Sequence, residues 1–178
     1  MRYFKLKQDS RTQNVATIAG KLEMKKIWET KDGLFFPYKI TNVGLYKQDV
    51  NFLPLIEHSV GMMEKIFYVS EETRNVFKSF QIGVKYQSFG LGNLKRRDLQ
   101  VYHFMKPFKI ECLSDKTVLM PNEEVKKLVL DRSKIGEHRV FQVKELRGNC
   151  LVVSLEVIEA LLSKQINEFE IIEVECEG

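Results

Sequence analysis

The pattern of hydrophobic and polar residues along the chain predicts many short strands and few helices. Apolar and charged residues alternate around Tyr3 and Phe4, which predicts an opening strand over residues 2–7. Similar strand-like runs recur between glycine, proline and polar breaks, at residues 62–69, 99–105, 108–113, 117–120, 125–130 and 139–143. We therefore expect an α+β fold made mostly of short antiparallel strands.

Helical spacing occurs in two places, each after an apolar run and before an alternating run. In the first, Ser70 precedes the predicted helix and Gly83 follows it. In the second, which covers residues 149–174, Ser154 precedes the helix and Asn167 follows it. A serine hydroxyl can accept a free backbone N–H of the first turn, and glycine and asparagine tolerate the left-handed conformation that ends helices. Both places are predicted to fold as strand, helix, strand.

These two segments align with each other without a gap, at a constant offset that places Val69 on Val153. Beyond Gly83 and Asn167 the apolar residues of the two copies fall out of phase by one position. A shift of one residue exchanges the two faces of a strand. The alignment predicts one strand–helix–strand unit used twice, with either a bulge in one copy or different packing of the two final strands.

The domain organisation follows from this repeat only in part. Residues 1–178 are enough for one sizeable α+β domain around a real core. The repeat leaves open a division into two related lobes of about 1–97 and 98–178. The best candidate for a linker or hairpin loop is the sequence GLGNLKRRD at residues 90–98.

Three stretches have a weaker local pattern. Residues 8–21 are polar and predict a loop, whereas residues 22–30 suit a short helix or a strand equally well. Trp28 lies in this ambiguous stretch, and we interpret it as a core residue in preference to an interface anchor. Residues 34–40 are apolar but contain Pro37, which lacks the backbone N–H of a central strand. They are predicted to form an edge strand.

Composition restricts the class of protein. Hydrophobic residues make up 44% of the chain and charged residues 29%, which is typical of a globular protein. The 28 basic and 24 acidic residues leave a net charge of +4, too small to indicate nucleic acid as a partner. No apolar run reaches the roughly 18 residues of a membrane span, and the start does not resemble a signal peptide. We expect a cytoplasmic protein without a membrane partner, whose three cysteines are reduced and mostly buried.

Motifs of catalysis and metal binding are not found in the sequence. His58, His103 and His138 are far apart and lack metal-ligand spacing. No serine has the surroundings of a nucleophile elbow, and no glycine-rich loop ends in Lys-Ser or Lys-Thr. The sequence predicts no enzyme activity, no catalytic residue, no metal and no cofactor.

The charged residues offer two candidate partner-binding regions. Lys95, Arg96 and Arg97 could contact phosphates, although a solvated loop is the favoured interpretation. Glu173 and Glu175 belong to an acidic final strand, which could face a basic partner or guard a sheet edge. These five residues are the predicted partner-binding positions.

A series of short sequences in a particular order is similar to a known family. The sequences are YFKL at residues 3–6, DVNFLP at 49–54, YVSEETRNVFKS at 68–79, YHFMKPFKIECLS at 102–114, LVLDRSKIGEHRVFQV at 128–143 and LVVSLEVIEALL at 151–162. In these, the chain resembles an immunity-protein family of bacterial polymorphic toxin systems, although Asn167 replaces a glycine that is frequent there. The resemblance implies a cytoplasmic protein that binds and neutralises a co-encoded toxin, and it carries no catalytic residues over to this chain.

A small domain that binds nucleic acid or another ligand is the alternative hypothesis. It is motivated by the basic residues 95–97 and by the aromatic strands, although the aromatic residues of 101–108 alternate like core residues. The modest net charge makes nucleic acid the less favoured ligand.

Overall fold

The computed structural model describes residues 1–31, 33–45, 49–61, 65–121, 124–146, 148 and 150–178. The predicted strand start at residues 62–64 and Asn149, the first residue of the second predicted unit, lie outside the described residues. Within these ranges the first half of the chain forms β1 (Tyr3–Gln8), β2 (Val15–Ile18), α1 (Met24–Glu29), β3 (Leu34–Thr41), β4 (Leu55–Ser59), β5 (Lys65–Ser70), α2 (Glu71–Phe80), β6 (Lys85–Asn93) and β7 (Asp98–Lys106). The second half forms β8 (Phe108–Ile110), β9 (Val118–Leu119), β10 (Val125–Lys127), β11 (Val129–Asp131), α3 (Arg132–Ile135), β12 (Val140–Val143), β13 (Cys150–Ser154), α4 (Leu155–Ser163) and β14 (Phe169–Glu177). The predicted α+β class, dominated by strands, is confirmed.

The described strands form two six-stranded sheets and one small hairpin. The first sheet has the order β2-β3-β6-β7-β5-β4, and the second has the order β11-β14-β1-β13-β12-β8. The hairpin consists of β9 and β10. The predicted mainly antiparallel pairing is therefore observed, with parallel pairs between β3 and β6, β11 and β14, and β8 and β12.

Five strands of each sheet have the same order and the same relative directions. The sequence β3-β6-β7-β5-β4 in the first sheet corresponds to β11-β14-β1-β13-β12 in the second. The first pair of each series is parallel, and the following pairs are antiparallel. In this correspondence β1, near the start of the chain, occupies the position of β7. Ser70 pairs with Tyr102 and Ser154 with Tyr3, so Tyr3 corresponds to Tyr102.

The same correspondence explains the one-residue phase difference in the aligned segments. Four residues, 81–84, connect α2 to β6, whereas five residues, 164–168, connect α4 to β14. Tyr102 pairs with Phe89, and Tyr3 pairs with Val174, which is one position farther along than the helix alignment predicts. The additional residue therefore lies in the connection between helix and strand, not in a bulge within the strand.

The change from the first sheet to the second occurs at Pro107, between β7 and β8. The turn at residues 94–97 joins β6 to β7, which are neighbours in the same sheet. A boundary near residue 97 would consequently divide a hairpin, and β1 pairs with strands at the other end of the chain.

The two longer helices lie in the central core between the sheets. α2 and α4 contact each other. Their buried residues pack with side chains of both sheets in one cluster, which includes Val76, Phe77, Val157, Leu161, Phe67, Met105, Leu6 and Val153. A second cluster lies on the outer face of the first sheet, where Tyr68, Tyr102 and Phe104 pack with Ile27 of α1. The aromatic residues of β7 are thus core residues, as the alternation predicted.

The helix ends follow the sequence prediction in one helix and depart from it in the other. The Ser70 hydroxyl accepts the Thr73 N–H at 3.3 Å, which confirms the predicted cap of α2. The predicted cap by Ser154 is wrong, because its buried hydroxyl donates to Glu156 at 3.2 Å instead. The predicted left-handed end at Asn167 is also wrong. Gln165 has the positive φ of 61°, since α4 ends at Ser163 and closes with backbone bonds to Leu161 and Leu162.

Several short elements differ from the sequence predictions. The predicted loop over residues 8–21 contains β2, whose four residues are all buried, and the missed strand β4 lies between Pro54 and β5. The ambiguous stretch 22–30 contains α1. The predicted edge strand is wrong in position, because β3 lies between β2 and β6. Pro37 is tolerated there since residues 34–37 pair with β6 and the following residues pair with β2, so the strand changes partner at the proline.

Candidate functional site

The three predicted basic residues occupy the tip of the β6–β7 hairpin. The Asn93 side chain accepts the backbone N–H groups of Lys95 at 3.0 Å and Arg96 at 3.3 Å, and Arg97 has a positive φ of 57°. These bonds use the backbone N–H groups of the turn as donors and leave the side chains of Lys95, Arg96 and Arg97 exposed. We call these three residues the basic tip.

Two glycines make the sheet flat directly below the basic tip. Gly90 lies opposite Val101 and Gly92 opposite Leu99 in the β6–β7 pair. A Cβ atom at Gly92 would lie 2.6 Å from the carbonyl oxygen of Asp98, and one at Gly90 would lie 2.9 Å from a methyl carbon of Leu99. The backbone contact requires glycine at position 92, whereas the atom nearest to a Cβ at position 90 belongs to the flexible Leu99 side chain. At both positions β6 offers no side chain to cover its neighbours.

Large apolar side chains are consequently exposed on this face of the first sheet. Phe35 is 47% exposed, Leu99 59% and Val101 52%, and Leu94 at the turn is 84% exposed. We call Phe35, Leu94, Leu99 and Val101 the open face. It lies on the same side of the sheet as α2 but beyond the start of that helix, because Met105 on the same side of β7 packs in the core that α2 covers. Contiguous exposed apolar residues with a polar rim are typical of a surface that binds another protein.

The corresponding positions of the second sheet have the opposite character. Glu175 and Glu177 of β14 stand where β6 has Gly90 and Gly92. Glu175 is paired with Lys127 at 2.9 Å, and Glu177 is paired with Lys116. In the second sheet these positions are thus occupied by ion pairs, whereas in the first sheet they are flat and apolar.

The five predicted partner-binding residues lie in two separate places. Lys95, Arg96 and Arg97 are together at the basic tip of the first sheet, and Glu173 and Glu175 are on β14 of the second sheet. Glu173 accepts from Arg2 at 2.8 Å, and Glu175 is paired with Lys127. Both carboxylates are therefore neutralised within the chain. Sequence reasoning missed the open face, whose signal was a pair of glycines opposite two β-strand hydrophobic residues.

A polar network around His103 borders the open face. His103 is buried on β7, two residues from Val101. Its Nε2 lies 2.6 Å from a carboxylate oxygen of Glu71, and its Nδ1 lies 2.9 Å from the Ser88 hydroxyl. The Arg74 guanidinium also approaches Nδ1, at 3.3 Å, and pairs with Glu71. The network attaches the first turn of α2 to two strands of the first sheet.

Electrostatics favour the neutral form of this histidine. Burial lowers the pKa of His103, and the Arg74 charge lowers it further, while the hydrogen bond to Glu71 opposes both effects. Partial burial alone would raise the pKa of Glu71, but its hydrogen bond to His103 and the Arg74 charge hold it below the usual value. A neutral ring that donates from Nε2 to Glu71 accepts at Nδ1 from Ser88 and Arg74. Since a guanidinium shares Nδ1, the ring is a poor proton acceptor toward Ser88.

This network is found in only one of the corresponding halves. Pairing places Phe4 at the position of His103 and Glu173 at that of Ser88, and the aligned helix has Leu155 at the position of Glu71. A histidine in an otherwise apolar strand was the only sequence signal of the network, and its partners lie far from it along the chain.

The cysteines and the possible metal ligands among the described residues form no further candidate site. Cys112, Cys150 and Cys176 are free thiols, and burial raises the pKa of Cys112 to about 12 and that of Cys150 to about 11. No group of three or more metal-ligating side chains occurs within the described ranges. None of the helices in them has the length and apolar composition to cross a membrane.

Comparison with known proteins gives no assignment. No protein-family model matches the chain, and no curated protein matches it with significant similarity.

Proposed function

We propose that this protein is a bacterial immunity protein that neutralises a cognate toxin domain by binding it through the open face and the basic tip. The observation that carries the proposal is the exposure of Phe35, Leu99 and Val101 around two glycines on one sheet. The class of partner is part of the proposal and is motivated by the resemblance noted for the short sequences at residues 49–54, 102–114 and 128–143.

The charges around the open face specify the chemistry of the partner. Lys95, Arg96 and Arg97 project from the turn, whereas Asp98 is engaged by the Tyr38 hydroxyl at 2.7 Å and by the Asn93 N–H at 3.1 Å. At the turn, the charges that remain for a partner are therefore basic. A toxin that fits presents an apolar centre bordered by acidic side chains, because complementary charges speed association and reject other partners.

We further propose that the two halves are copies of one structural unit and that the two copies have different roles. The five corresponding strands and one helix of each half are interpreted as two copies, and the copy in the first sheet is specialised for binding. Ion pairs at Glu175 and Glu177 support this division, since they occupy the positions that are open in the first copy. The second copy acts as the supporting half of a shared core.

A binding role is favoured over an enzymatic one. Ser88, His103 and Glu71 form a relay of hydrogen bonds, but the Arg74 guanidinium lies at the nitrogen that would have to take the serine proton. The network positions α2 next to the open face. We propose that the protein works in the cytoplasm, without a cofactor or a catalytic residue.

The test requires the toxin domain encoded beside the gene of this protein. Leu99→Glu places a charge in the centre of the open face, and Arg96→Glu reverses a charge of the basic tip. We expect the first variant to weaken the complex at least a hundredfold in calorimetry and to abolish protection in co-expression. The second should slow association, with a smaller loss of affinity at high salt.

Lys126→Glu is the matched control, because it reverses an exposed charge on the small β9–β10 hairpin. It should retain full affinity and protection. A neighbouring toxin that stays active beside the wild-type protein would refute the immunity role. A tight complex that tolerates Leu99→Glu would instead refute the open face as the binding surface.

A further inference from the structure

A second candidate site lies at the other end of the β6–β7 hairpin, where the chain passes from the first sheet to the second. It is a cleft of about 620 Å³, lined by residues of α1, β5, β6, β7, β8 and β12 together with Gly83 and Pro107. Nine-residue strands separate it from the basic tip, a distance of roughly 27 Å. The volume lies in the range of about 300–1,000 Å³ typical of pockets for small molecules.

The lining of the cleft combines aromatic side chains with positive charge. Trp28 and Phe108 are partly exposed in it, and five of the lining residues are lysines, namely Lys25, Lys65, Lys85, Lys106 and Lys109. No aspartate or glutamate is among the described lining residues. At the rim, Lys65 is paired with Glu57 at 2.9 Å and Lys25 reaches Glu29 at 4.0 Å. Within the described ranges, Lys85, Lys106 and Lys109 have no carboxylate partner.

The arrangement of two of these lysines costs stability in the protein alone. Lys85 and Lys106 are directly opposite each other in the antiparallel pair of β6 and β7. Like charges in this position repel each other. The corresponding pair of the second sheet is Glu170 and Lys7, whose charged groups lie 3.4 Å apart. The first sheet thus keeps an unfavourable pair at a place where the same arrangement of strands accommodates a favourable one.

The geometry points to a binding site for a nucleoside triphosphate in this cleft. The phosphates lie between Lys85, Lys106 and Lys109, where their negative charge balances the three ammonium groups. The base takes the apolar part beside Trp28 and Phe108. The Lys106 ammonium already lies 6.0 Å from the centre of the Trp28 ring, so the ring and the charge border the same space. A binding site for both parts of a nucleotide needs this adjacency.

The single tryptophan gives a direct measurement. Because Trp28 is the only tryptophan and lines the cleft, its fluorescence reports on occupancy. Titration with ATP should quench it saturably, and calorimetry should give the same dissociation constant. Tripolyphosphate and adenosine, each carrying half of the recognised chemistry, should bind at least tenfold more weakly than ATP. Equal binding of tripolyphosphate or of adenosine would overturn the assignment to a nucleotide, as would tighter binding of a short RNA oligonucleotide.

Two variants test the lysines. Lys85→Glu copies the pair found in the second sheet, so it should fold, and it should weaken ATP binding at least tenfold. Lys109→Gln should weaken it severalfold without introducing an acid. Arg96→Glu makes the same change of charge at the distant basic tip and should leave the dissociation constant unchanged. An equal loss in Arg96→Glu would reveal attraction by net charge alone, and no saturable binding of ATP to the wild-type protein would refute the site.

Discussion

Lys85 and Lys106 face each other across the β6–β7 pair, at the position where Glu170 faces Lys7 in the second sheet. The two sheets are thus built alike at this point and differ in the sign of one charge. The lysine pair of the first sheet therefore lowers the stability of the free protein, while it supplies positive charge for the ligand proposed in the cleft.

Lys85→Glu should stabilise the protein when no ligand is present. The substitution replaces a repulsive cross-strand pair by an attractive one, and such pairs contribute about 0.2–1 kcal/mol. We expect a small rise in the midpoint of thermal unfolding at low salt, which fades as salt screens the pair. Lys95→Glu, at the turn of the same hairpin, is the control and should leave the midpoint nearly unchanged. A fall in the midpoint of Lys85→Glu would contradict the assigned pairing.

The two serines that precede the long helices should respond differently to alanine. Ser70 accepts the Thr73 N–H, so Ser70→Ala removes a cap and should cost about 1 kcal/mol of unfolding free energy. Ser154 caps no backbone N–H with its side chain, and Ser154→Ala should cost clearly less. Urea denaturation of both variants measures the difference. Equal losses would show that the serines act alike at their helices.

The end of α4 should gain stability from glycine. Gln165 has a φ of 61°, and its N–H and that of Ile166 close the helix on Leu162 and Leu161. Glycine adopts this conformation without the steric cost of a Cβ atom. Gln165→Gly should therefore raise the unfolding free energy by roughly 0.5–1 kcal/mol in urea denaturation. Lys164→Gly, one residue earlier with a φ of −93°, should lower it instead.

Gly83 should not tolerate a side chain, because of its backbone conformation and because of a close neighbour. Comparison with Gly20 separates these two reasons. Its φ is 88°, and a Cβ atom would lie 2.9 Å from the Phe108 ring. Gly20 has a similar φ of 93°, but a Cβ atom there would meet no other atom within 4 Å. Gly20→Ala should then show the backbone cost alone, about 1 kcal/mol, and Gly83→Ala a larger loss by thermal unfolding. Similar losses would mean that Phe108 moves aside freely.

His103 should make the stability depend on pH. Burial lowers its pKa in the folded protein below the value of 6.5 of the unfolded chain. Between these two values the unfolded chain binds more protons than the folded protein. The stability that the neutral His103 ring contributes is therefore fully present above about pH 6.5 and is lost as the pH falls below it. His103→Gln should reduce the change in the midpoint of thermal unfolding between pH 7.5 and 5.5.

The control for this effect is His58, because burial and the Lys39 charge lower its pKa as well. His58→Gln should remove a separate part of the pH dependence, and the double variant should remove both parts. If His103→Gln keeps the full slope of the wild-type protein, folding does not lower the pKa of His103.

Local patterns in the sequence predicted the parts of the fold that depend on local forces. The alternation of β1 and the helix that begins after Ser70 are of this kind, because side-chain period and helix caps act over a few residues. The place of β1 between β13 and β14 was not predictable in this way, since its partners lie at the other end of the chain. Pro37 was misleading because a strand can change partner within its length.

The candidate sites were predictable only in part. The basic residues 95–97 were recognised because charge and turn residues stand together in the sequence. The open face depends on the register that sets Gly90 against Val101, and the cleft unites Trp28, Lys85 and Lys109 from three separate elements. Strand register decides the open face, for which the glycine pair was the sequence signal, and packing between distant segments decides the cleft, for which the sequence contains no direct signal.

The position of β1 has a consequence for how the protein is made. During synthesis on the ribosome, the strands of the first sheet emerge one after another and can pair soon after they appear. β1 emerges before all of them, yet its neighbours β13 and β14 emerge last. Until then its unpaired edges and the apolar side chains Tyr3 and Leu6 are available to other chains. The second sheet is thus the part of the molecule for which a nascent chain has most need of a chaperone.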